Sequence, residues 1–265
     1  MKIFISADIE GVNGIITWDE TEPQYAAYDY FRKQMTKEVQ NACLGANAAG
    51  ANEIFIKDAH DTARNLILDA FPENAKVHRG WEGCPCSMMA GLDKSFDAVL
   101  FIGYHSPASS DGNPLAHTMN TKNLYVKING KVASEFYINA LYASYIGVPI
   151  AFLSGDKRLT ELVKEENKNI TTVVTKEGVH GAVVSQSPSV TNEKIKKKVQ
   201  EALSQDLRKN FVELPKHFNM EIAYKHFKDA YNASFYPGCK LLNENTVSFE
   251  TDDYYEVLRA MKFIL

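Results

Sequence analysis

The sequence lacks the short motifs that mark several common enzyme classes. It contains no Gly-x-Gly-x-x-Gly, no Gly-x-x-x-x-Gly-Lys-Ser/Thr, no His-Glu-x-x-His and no Gly-x-Ser-x-Gly. Nucleotide-dependent enzymes and serine hydrolases therefore have little support.

The sequence also has little of what exported, membrane-spanning or nucleic-acid-binding proteins need. The acids Asp8 and Glu10 come too early for the apolar core of a signal peptide, so we expect a cytoplasmic protein. The longest uncharged stretch, Phe136 to Gly155, is interrupted by polar residues and by Gly147-Val148-Pro149, which predicts a helix, a turn and a strand. A formal net charge of −4 argues against general nucleic-acid binding and leaves small molecules as the expected partners.

Cysteine is scarce, with four residues in 265. In a cytoplasmic chain these thiols are expected to stay reduced. Cys84-Pro85-Cys86 has the wrong spacing for a thioredoxin motif and no second pair for a metal site, so we interpret it as two buried or half-buried thiols in a loop. A chain of this length can build its core without a disulfide or a structural metal.

Apolar runs and helical periodicities alternate along most of the chain, which predicts an α/β fold. The pattern predicts a mainly parallel central sheet with helices on both faces, plus a smaller C-terminal α+β portion. We expect residues 1–185 to form the metal-binding catalytic α/β domain and residues 186–265 the smaller portion. The main predicted elements are strands at Lys2 to Ala7, Asn52 to Asp58, Ala98 to Ile102 and Pro149 to Leu153, a hairpin around Asn129-Gly130, and helices from Pro23 to about Ala49, from Glu135, and from Ser189 to about Asn210.

Polar side chains follow three predicted strands at the points where those strands end. Asp8 and Glu10 are separated by one residue, so in an extended chain their carboxylates point to the same side. Two close carboxylates raise one another's pKa unless a cation lies between them or they share a proton. His60 and His105 each follow a buried strand. Because strand ends in an open α/β sheet converge on one crevice, these side chains are predicted to meet.

Glu135, at the start of a predicted helix, completes a set of three carboxylates and two histidines. Taken alone, the acids could be polar residues at a strand exit or favourable charges at the positive end of a helix dipole. Taken together, they are the ligand mix that suits two borderline metals bridged by one carboxylate. Asp58 is a candidate hydrogen-bond partner for His60. Four other histidines, His78, His180, His217 and His226, are interpreted as surface or satisfied residues.

The segments around these residues carry a specific similarity. They are Ser6-Ala7-Asp8-Ile9-Glu10-Gly11, Lys57-Asp58-Ala59-His60, Gly103-Tyr104-His105, Ala116-His117-Thr118-Met119 and Ser134-Glu135. In order and register they resemble the D-aminopeptidase family of bacterial dipeptide-transport operons, peptidase family M55. The similarity runs from residue 1 to the Ser154-Gly155-Asp156 turn, and beyond that only the general layout is similar.

The resemblance implies a binuclear zinc D-aminopeptidase, a metallopeptidase that releases N-terminal D-amino acids such as D-Ala from short peptides. It implies two zinc ions per subunit, with Asp8 bridging them, Glu10 and His60 completing one site, and His105 and Glu135 completing the other. It also implies a catalytic part for His117, as acid, base, nucleophile or orienting group. Family members form rings stacked into decamers, so a homo-oligomer is expected.

Two positions depart from the family pattern. Lys57 stands where an asparagine is expected, and Ala59 replaces a small polar residue, although neither change removes a metal ligand. Two other functions remain open: another binuclear metal-dependent amidohydrolase or phosphoesterase, since paired metals serve both hydrolyses, or a non-catalytic metal-binding module associated with a transporter. Residue spacing does not specify the handedness of the substrate.

Overall fold

The computed structural model describes residues 1–265 and contains two β-sheets and six α-helices. The strands are β1 (Lys2–Ala7), β2 (Glu53–Asp58), β3 (Ala75–His78), β4 (Ala98–Tyr104), β5 (Asn123–Ile128), β6 (Lys131–Val132), β7 (Ile150–Asp156), β8 (Thr171–Val179), β9 (Ala182–Ser185), β10 (Phe218–Tyr224), β11 (Lys240–Asn243) and β12 (Thr246–Thr251). The helices are α1 (Tyr28–Ala48), α2 (Glu135–Ile146), α3 (Lys157–Glu166), α4 (Pro188–Leu203), α5 (Phe227–Ala233) and α6 (Tyr254–Ile264). Short 3₁₀ helices lie at Trp18–Glu20, Leu68–Ala70, Ser87–Met89 and Leu207–Lys209.

The first sheet has seven strands in the order β3-β2-β1-β4-β7-β8-β9. All neighbouring pairs are parallel except β8 and β9. In the centre, Ile5 of β1 pairs with Ile56 of β2 on one side and with Leu100 of β4 on the other. The central residues of these strands are apolar because helices cover both faces of the sheet. The carboxyl ends of β2, β1 and β4 consequently lie side by side.

The two faces of this sheet belong to two separate apolar cores. Ile3 and Ile5 pack in one core with buried residues of α1 and α4. Phe4 and Phe101 point to the opposite face, where they pack in a larger core with α2 and α6. The alternation of neighbouring side chains between the two cores follows from the two-residue repeat of a strand.

The second sheet is antiparallel, with the order β11-β12-β10-β5-β6. Its apolar face shares the larger core with α2 and α6, and Phe218 of β10 contacts Tyr254 of α6. Strands β5 and β6 come from the middle of the chain. Helix α4, which begins just after residue 185, packs against α1 on one face of the first sheet. The division at residue 185 stays a prediction.

The predicted fold class is confirmed: a mainly parallel sheet with helices around it accompanies a smaller antiparallel portion. The bounds of two helices differ from expectation. Helix α1 begins at Tyr28 rather than Pro23, because the preceding turns carry Thr21 towards His60, and α4 ends at Leu203. None of the helices is both long enough and apolar enough to span a bilayer.

Candidate metal centre

The adjacent strand ends bring the predicted ligands into one buried cluster. Asp8 and Glu10 follow β1, His60 follows β2, His105 follows β4, and Glu135 is the first residue of α2. All five side chains are almost fully buried. Ser134 caps α2 by accepting a hydrogen bond from the Tyr137 N–H, which fixes the helix start that carries Glu135.

The carboxylate of Asp8 lies between the two histidines. Its Oδ1 is 3.4 Å from His60 Nδ1, and its Oδ2 is 3.5 Å from His105 Nε2. On the first side Glu10 Oε2 lies 3.1 Å from His60 Nδ1, and on the second Glu135 Oε2 lies 3.4 Å from His105 Nε2. The result is two groups of metal-ligating atoms that share Asp8. A carboxylate with one oxygen in each group has the arrangement needed to bridge two cations.

Backbone carbonyls fix the orientation of both histidine rings. His60 Nε2–H donates to Thr21 O at 2.9 Å, and His105 Nδ1–H donates to Ser106 O at 2.9 Å. A cation bound among the carboxylates would meet the lone pair of the opposite nitrogen of each ring, the arrangement of a metal-bound histidine. The suggestion that Asp58 partners His60 is wrong. Asp58 instead accepts hydrogen bonds from the backbone and side chain of Asn65 and so shapes the loop after β2.

Three buried polar atoms in the cluster have no hydrogen-bond partner in the protein: Asp8 Oδ2, Glu10 Oε2 and His105 Nε2. Buried polar atoms without partners are rare and need an explanation. Two are carboxylate oxygens and the third is an imidazole nitrogen, all of which are zinc ligands. The donor set and the orphaned atoms therefore fit cations bound at this position.

The charges of the cluster depend strongly on one another. Burial and the neighbouring Glu10 raise the pKa of Asp8 well above its ordinary value. Burial lowers the pKa of His105, but the negative charges of Glu135 and the other carboxylates outweigh burial and raise the pKa of His105 to about 10. In the absence of a cation, protons would thus offset part of the negative charge. Protons and metal ions compete for these atoms.

His117 reaches the same cluster from the loop between β4 and β5. Its Nε2 lies 3.5 Å from Glu135 Oε1 and 3.9 Å from Glu10 Oε1. The ring stacks on His105 with a centroid distance of 4.3 Å, and Nδ1–H donates to Leu115 O at 2.8 Å. Burial and the adjacent His105 lower the pKa of His117. A neutral ring with its lone pair on Nε2 therefore faces the carboxylates.

A close backbone approach joins the Glu10 loop to β4. The Gly11 N–H donates to Gly103 O at 2.8 Å, and a Cβ atom on Gly11 would lie only 1.8 Å from Tyr104 O. Only glycine fits at this position without moving the strand that carries His105.

Two further buried charged side chains, Asp156 and Lys176, lie behind the cluster, and no local sequence pattern marks either as part of it. Asp156, at the end of β7, accepts from Ser106 N at 2.7 Å and from Asn113 Nδ2 at 3.2 Å. Asn113 in turn donates to the Glu10 carbonyl at 2.9 Å. Lys176 donates to the same carbonyl at 2.5 Å. Asp156 therefore connects the loops that carry His105 and Glu10.

The cluster forms the floor of a cavity of about 380 Å³. The two tryptophans of the chain, Trp18 and Trp81, both line it, together with the acids Glu22 and Asp61. The Lys57 ammonium lies 4.3 Å from the centre of the Trp81 ring and donates to the Gly80 carbonyl at 2.7 Å. The lysine at the atypical position 57 thus holds one wall of the cavity. Local patterning could not identify these wall residues. His78, His180, His217 and His226 do not line this cavity.

Comparisons with known proteins point to one family. The family model for peptidase family M55, D-aminopeptidase, matches residues 1–263, so the similarity extends well beyond the Ser154-Gly155-Asp156 turn. A D-aminopeptidase of Bacillus subtilis (strain 168) is 28% identical over 263 residues, covering 98% of this chain and 95% of that protein. The solved structure of the zinc-dependent D-aminopeptidase DppA from Bacillus subtilis, a self-compartmentalizing protease, superposes with a TM-score of 0.93 at 28% identity, covering 100% of this chain and 96% of that one.

Proposed function

Because the chain belongs to the D-aminopeptidase family of metallopeptidases, we propose that it is a zinc aminopeptidase that releases N-terminal D-amino acids, of the D-Ala type, from short peptides. The observation that carries the proposal is the position of Asp8, whose two carboxylate oxygens face His60 and His105 in two adjoining ligand groups. A structural zinc site would instead be closed by four protein ligands.

Two zinc ions per chain fit the ligands. Asp8 would bridge them, Glu10 and His60 would complete one site, and His105 and Glu135 would complete the other. Ions held in this way lower the pKa of a water molecule and polarise a peptide carbonyl. Each group offers three protein ligands, which leaves coordination positions for water and substrate.

His117 is placed for proton transfer. Its neutral ring presents the Nε2 lone pair to the cavity, and the hydrogen bond from Nδ1 to Leu115 O holds that orientation. In this role His117 accepts a proton from the attacking water and returns it to the nitrogen of the leaving amine. General acid–base groups of this kind contribute about 10²–10⁴-fold in rate. The stacked His105 ring and the Trp18 ring, whose centre lies 5.2 Å from the centre of the His117 ring, restrict the motion of His117.

The same family membership supports a cellular location and an oligomeric state for the enzyme. We expect it to act in the cytoplasm as a homo-oligomer, a ring or stacked decamer, since its structural relative is self-compartmentalizing. The four free cysteines are compatible with a reducing compartment. Its substrates would reach the site as short peptides, because both the cavity and an enclosed assembly exclude folded proteins.

A substrate comparison tests the proposal. Zinc-loaded protein is incubated with D-alanyl p-nitroanilide, its L-alanyl counterpart and p-nitrophenyl phosphate. Faster release from the D-alanyl compound, and loss of that release after chelation, is expected. Preferential hydrolysis of the phosphate would assign the site to a phosphoesterase, and preference for the L-alanyl compound would contradict the D-specificity.

A further inference from the structure

A second cavity of about 230 Å³ adjoins the metal cavity. The two cavities share Ser87, Met119 and Asn120 as wall residues. The rest of the second cavity is mostly apolar: it is lined by Pro85, Ile138, Leu258, Met261 and Leu265, by the half-buried thiols Cys84 and Cys86, and by the polar Asn139 and Lys262. Nothing in the chemistry described above uses this space.

Helix α2 fixes the relation between the two cavities. Glu135 faces the metal cavity, and Ile138 and Asn139, which are three and four residues further along the same helix, line the second cavity. Residues at these spacings lie on one face of a helix, about 5–6 Å apart. An extended peptide advances by about 3.3–3.6 Å per residue. The second cavity therefore lies within reach of the next side chain of a peptide whose scissile bond is beside Glu135.

The wall between the cavities has an unusual backbone. Met119 has a φ of 65° and Ser87 a φ of 46°, so two of the three shared residues adopt the left-handed conformation without being glycine. Such residues cost free energy and cluster at ligand sites. The Met119 N–H also donates to Glu135 Oε1 at 2.7 Å, which ties the wall to the metal cluster.

The charges around the two cavities give a bound peptide a direction. Glu22 and Asp61 are the chain neighbours of Thr21 and His60, which contact one another, so both acids lie at the His60 end of the metal cavity. Lys262 lines the second cavity and not the metal cavity. A free α-ammonium group is attracted to the acidic end, and a terminal carboxylate to the lysine.

From these features we infer that the second cavity binds the apolar side chain of the residue that follows the scissile bond, and that Lys262 receives the terminal carboxylate of a dipeptide. The inference rests on the proposed peptidase function and names its leaving group: an apolar amino acid with a free carboxylate. The α-ammonium group would lie towards Glu22 and Asp61. Cys84 and Cys86 then serve as part of an apolar wall.

The first test is a substrate series with the zinc-loaded wild type. We expect kcat/KM to be about tenfold to a hundredfold higher for D-Ala-Leu, with either enantiomer of leucine, than for D-Ala-Gly, because the leucine side chain leaves water. Equal values would overturn the inference but leave the proposed function intact. If kcat/KM depended instead on an apolar side chain in the first residue of the peptide, the assigned direction would be overturned. If no D-Ala peptide is cleaved, the proposed function fails first, and this inference with it.

The second test uses variants. Cys86→Phe, which fills the cavity from its half-exposed wall, is expected to remove the preference for leucine while D-Ala-Gly is still cleaved. Lys262→Met alters an exposed residue and should lower kcat/KM for D-Ala-Leu about two- to fivefold, the usual effect of an exposed ion pair, with no change for D-Ala-Leu amide. Lys228→Met, at another exposed lysine, is the matched control. An equal loss on the free acid and the amide would exclude the role of Lys262.

Binding can be separated from catalysis with a reduced-bond analogue of D-Ala-Leu. Because both tryptophans line the metal cavity, their fluorescence should report its binding. We expect weaker binding to Cys86→Phe than to the wild type, and the analogue of D-Ala-Gly should bind both proteins alike. Unchanged affinity for the leucine analogue in Cys86→Phe would contradict the inference even if kinetic effects were seen.

Discussion

Replacing Asp156 by asparagine should remove hydrogen bonds behind the metal cluster while keeping the helix cap that the same residue provides. Asp156 Oδ1 accepts from Leu159 N at 2.8 Å, which caps α3, and from Ser106 Oγ at 2.5 Å. Asp156 Oδ2 accepts from Ser106 N at 2.7 Å and from Asn113 Nδ2 at 3.2 Å. Asparagine caps a helix about as well as aspartate. The substitution therefore replaces only one acceptor oxygen by an NH₂ group.

The expected loss of stability comes from two donors that lose their acceptor, the Ser106 N–H and the Asn113 side-chain amide. Each buried donor left unsatisfied costs about 1–3 kcal/mol, so Asp156→Asn should lower the free energy of unfolding by about 2–6 kcal/mol. The carbonyl of Ser106 orients the His105 ring, and Asn113 holds the Glu10 carbonyl. A loss of zinc affinity should accompany the loss of stability.

Urea unfolding at fixed protein concentration, with and without zinc, measures both effects. Asp253→Asn is the matched control, because Asp253 also caps a helix, through Tyr255 N at 2.9 Å, but is exposed. The control should differ from the wild type by less than about 0.5 kcal/mol. If Asp156→Asn behaved like Asp253→Asn, Asp156 would have no part in supporting the cluster.

Three further predictions concern the cluster itself. His117→Gln should lower kcat by about 10²–10⁴-fold without changing zinc content, and a loss below tenfold would remove its role in proton transfer. In zinc-free protein the pKa of His105 is raised to about 10 from an ordinary value near 6.5, so its stabilising contribution is complete below about pH 6.5 and is lost as pH rises through 10. Thermal unfolding of zinc-free protein should show this decline, and His105→Gln should remove it. Gly11→Ala places a Cβ atom 1.8 Å from Tyr104 O and should reduce both stability and zinc content, whereas Gly181→Ala, with no atom within 4 Å, should do neither.

The parts of the site that follow from local patterns were predictable. Apolar runs that end at Asp8 and shortly before His60 and His105 predict buried strands, and neighbouring parallel strands necessarily carry their end residues to one edge. Glu135 was predictable as a helix start because Ser134 is a favourable N-cap residue. The chain order of these elements was enough to assemble the predicted ligands.

The supporting contacts depend on tertiary packing and could not be predicted from sequence. The carbonyls of Thr21 and Ser106, which orient the two histidines, carry no side-chain signal at all. The second sheet pairs β5 with β10, whose residues come more than 90 positions later in the chain, and no local pattern specifies that pairing. Nothing in the local pattern around Lys57, near the end of a predicted strand, indicates that its side chain is buried beneath Trp81.

Metal content measured by plasma mass spectrometry, combined with hydrolysis of D-Ala-D-Ala before and after chelation, tests the central claim most directly. The account predicts about two zinc ions per chain, cleavage that is lost on chelation and restored by zinc, and loss of both in Asp8→Ala. A purified, folded protein that binds no zinc and cleaves no D-Ala-D-Ala after zinc is added would contradict it.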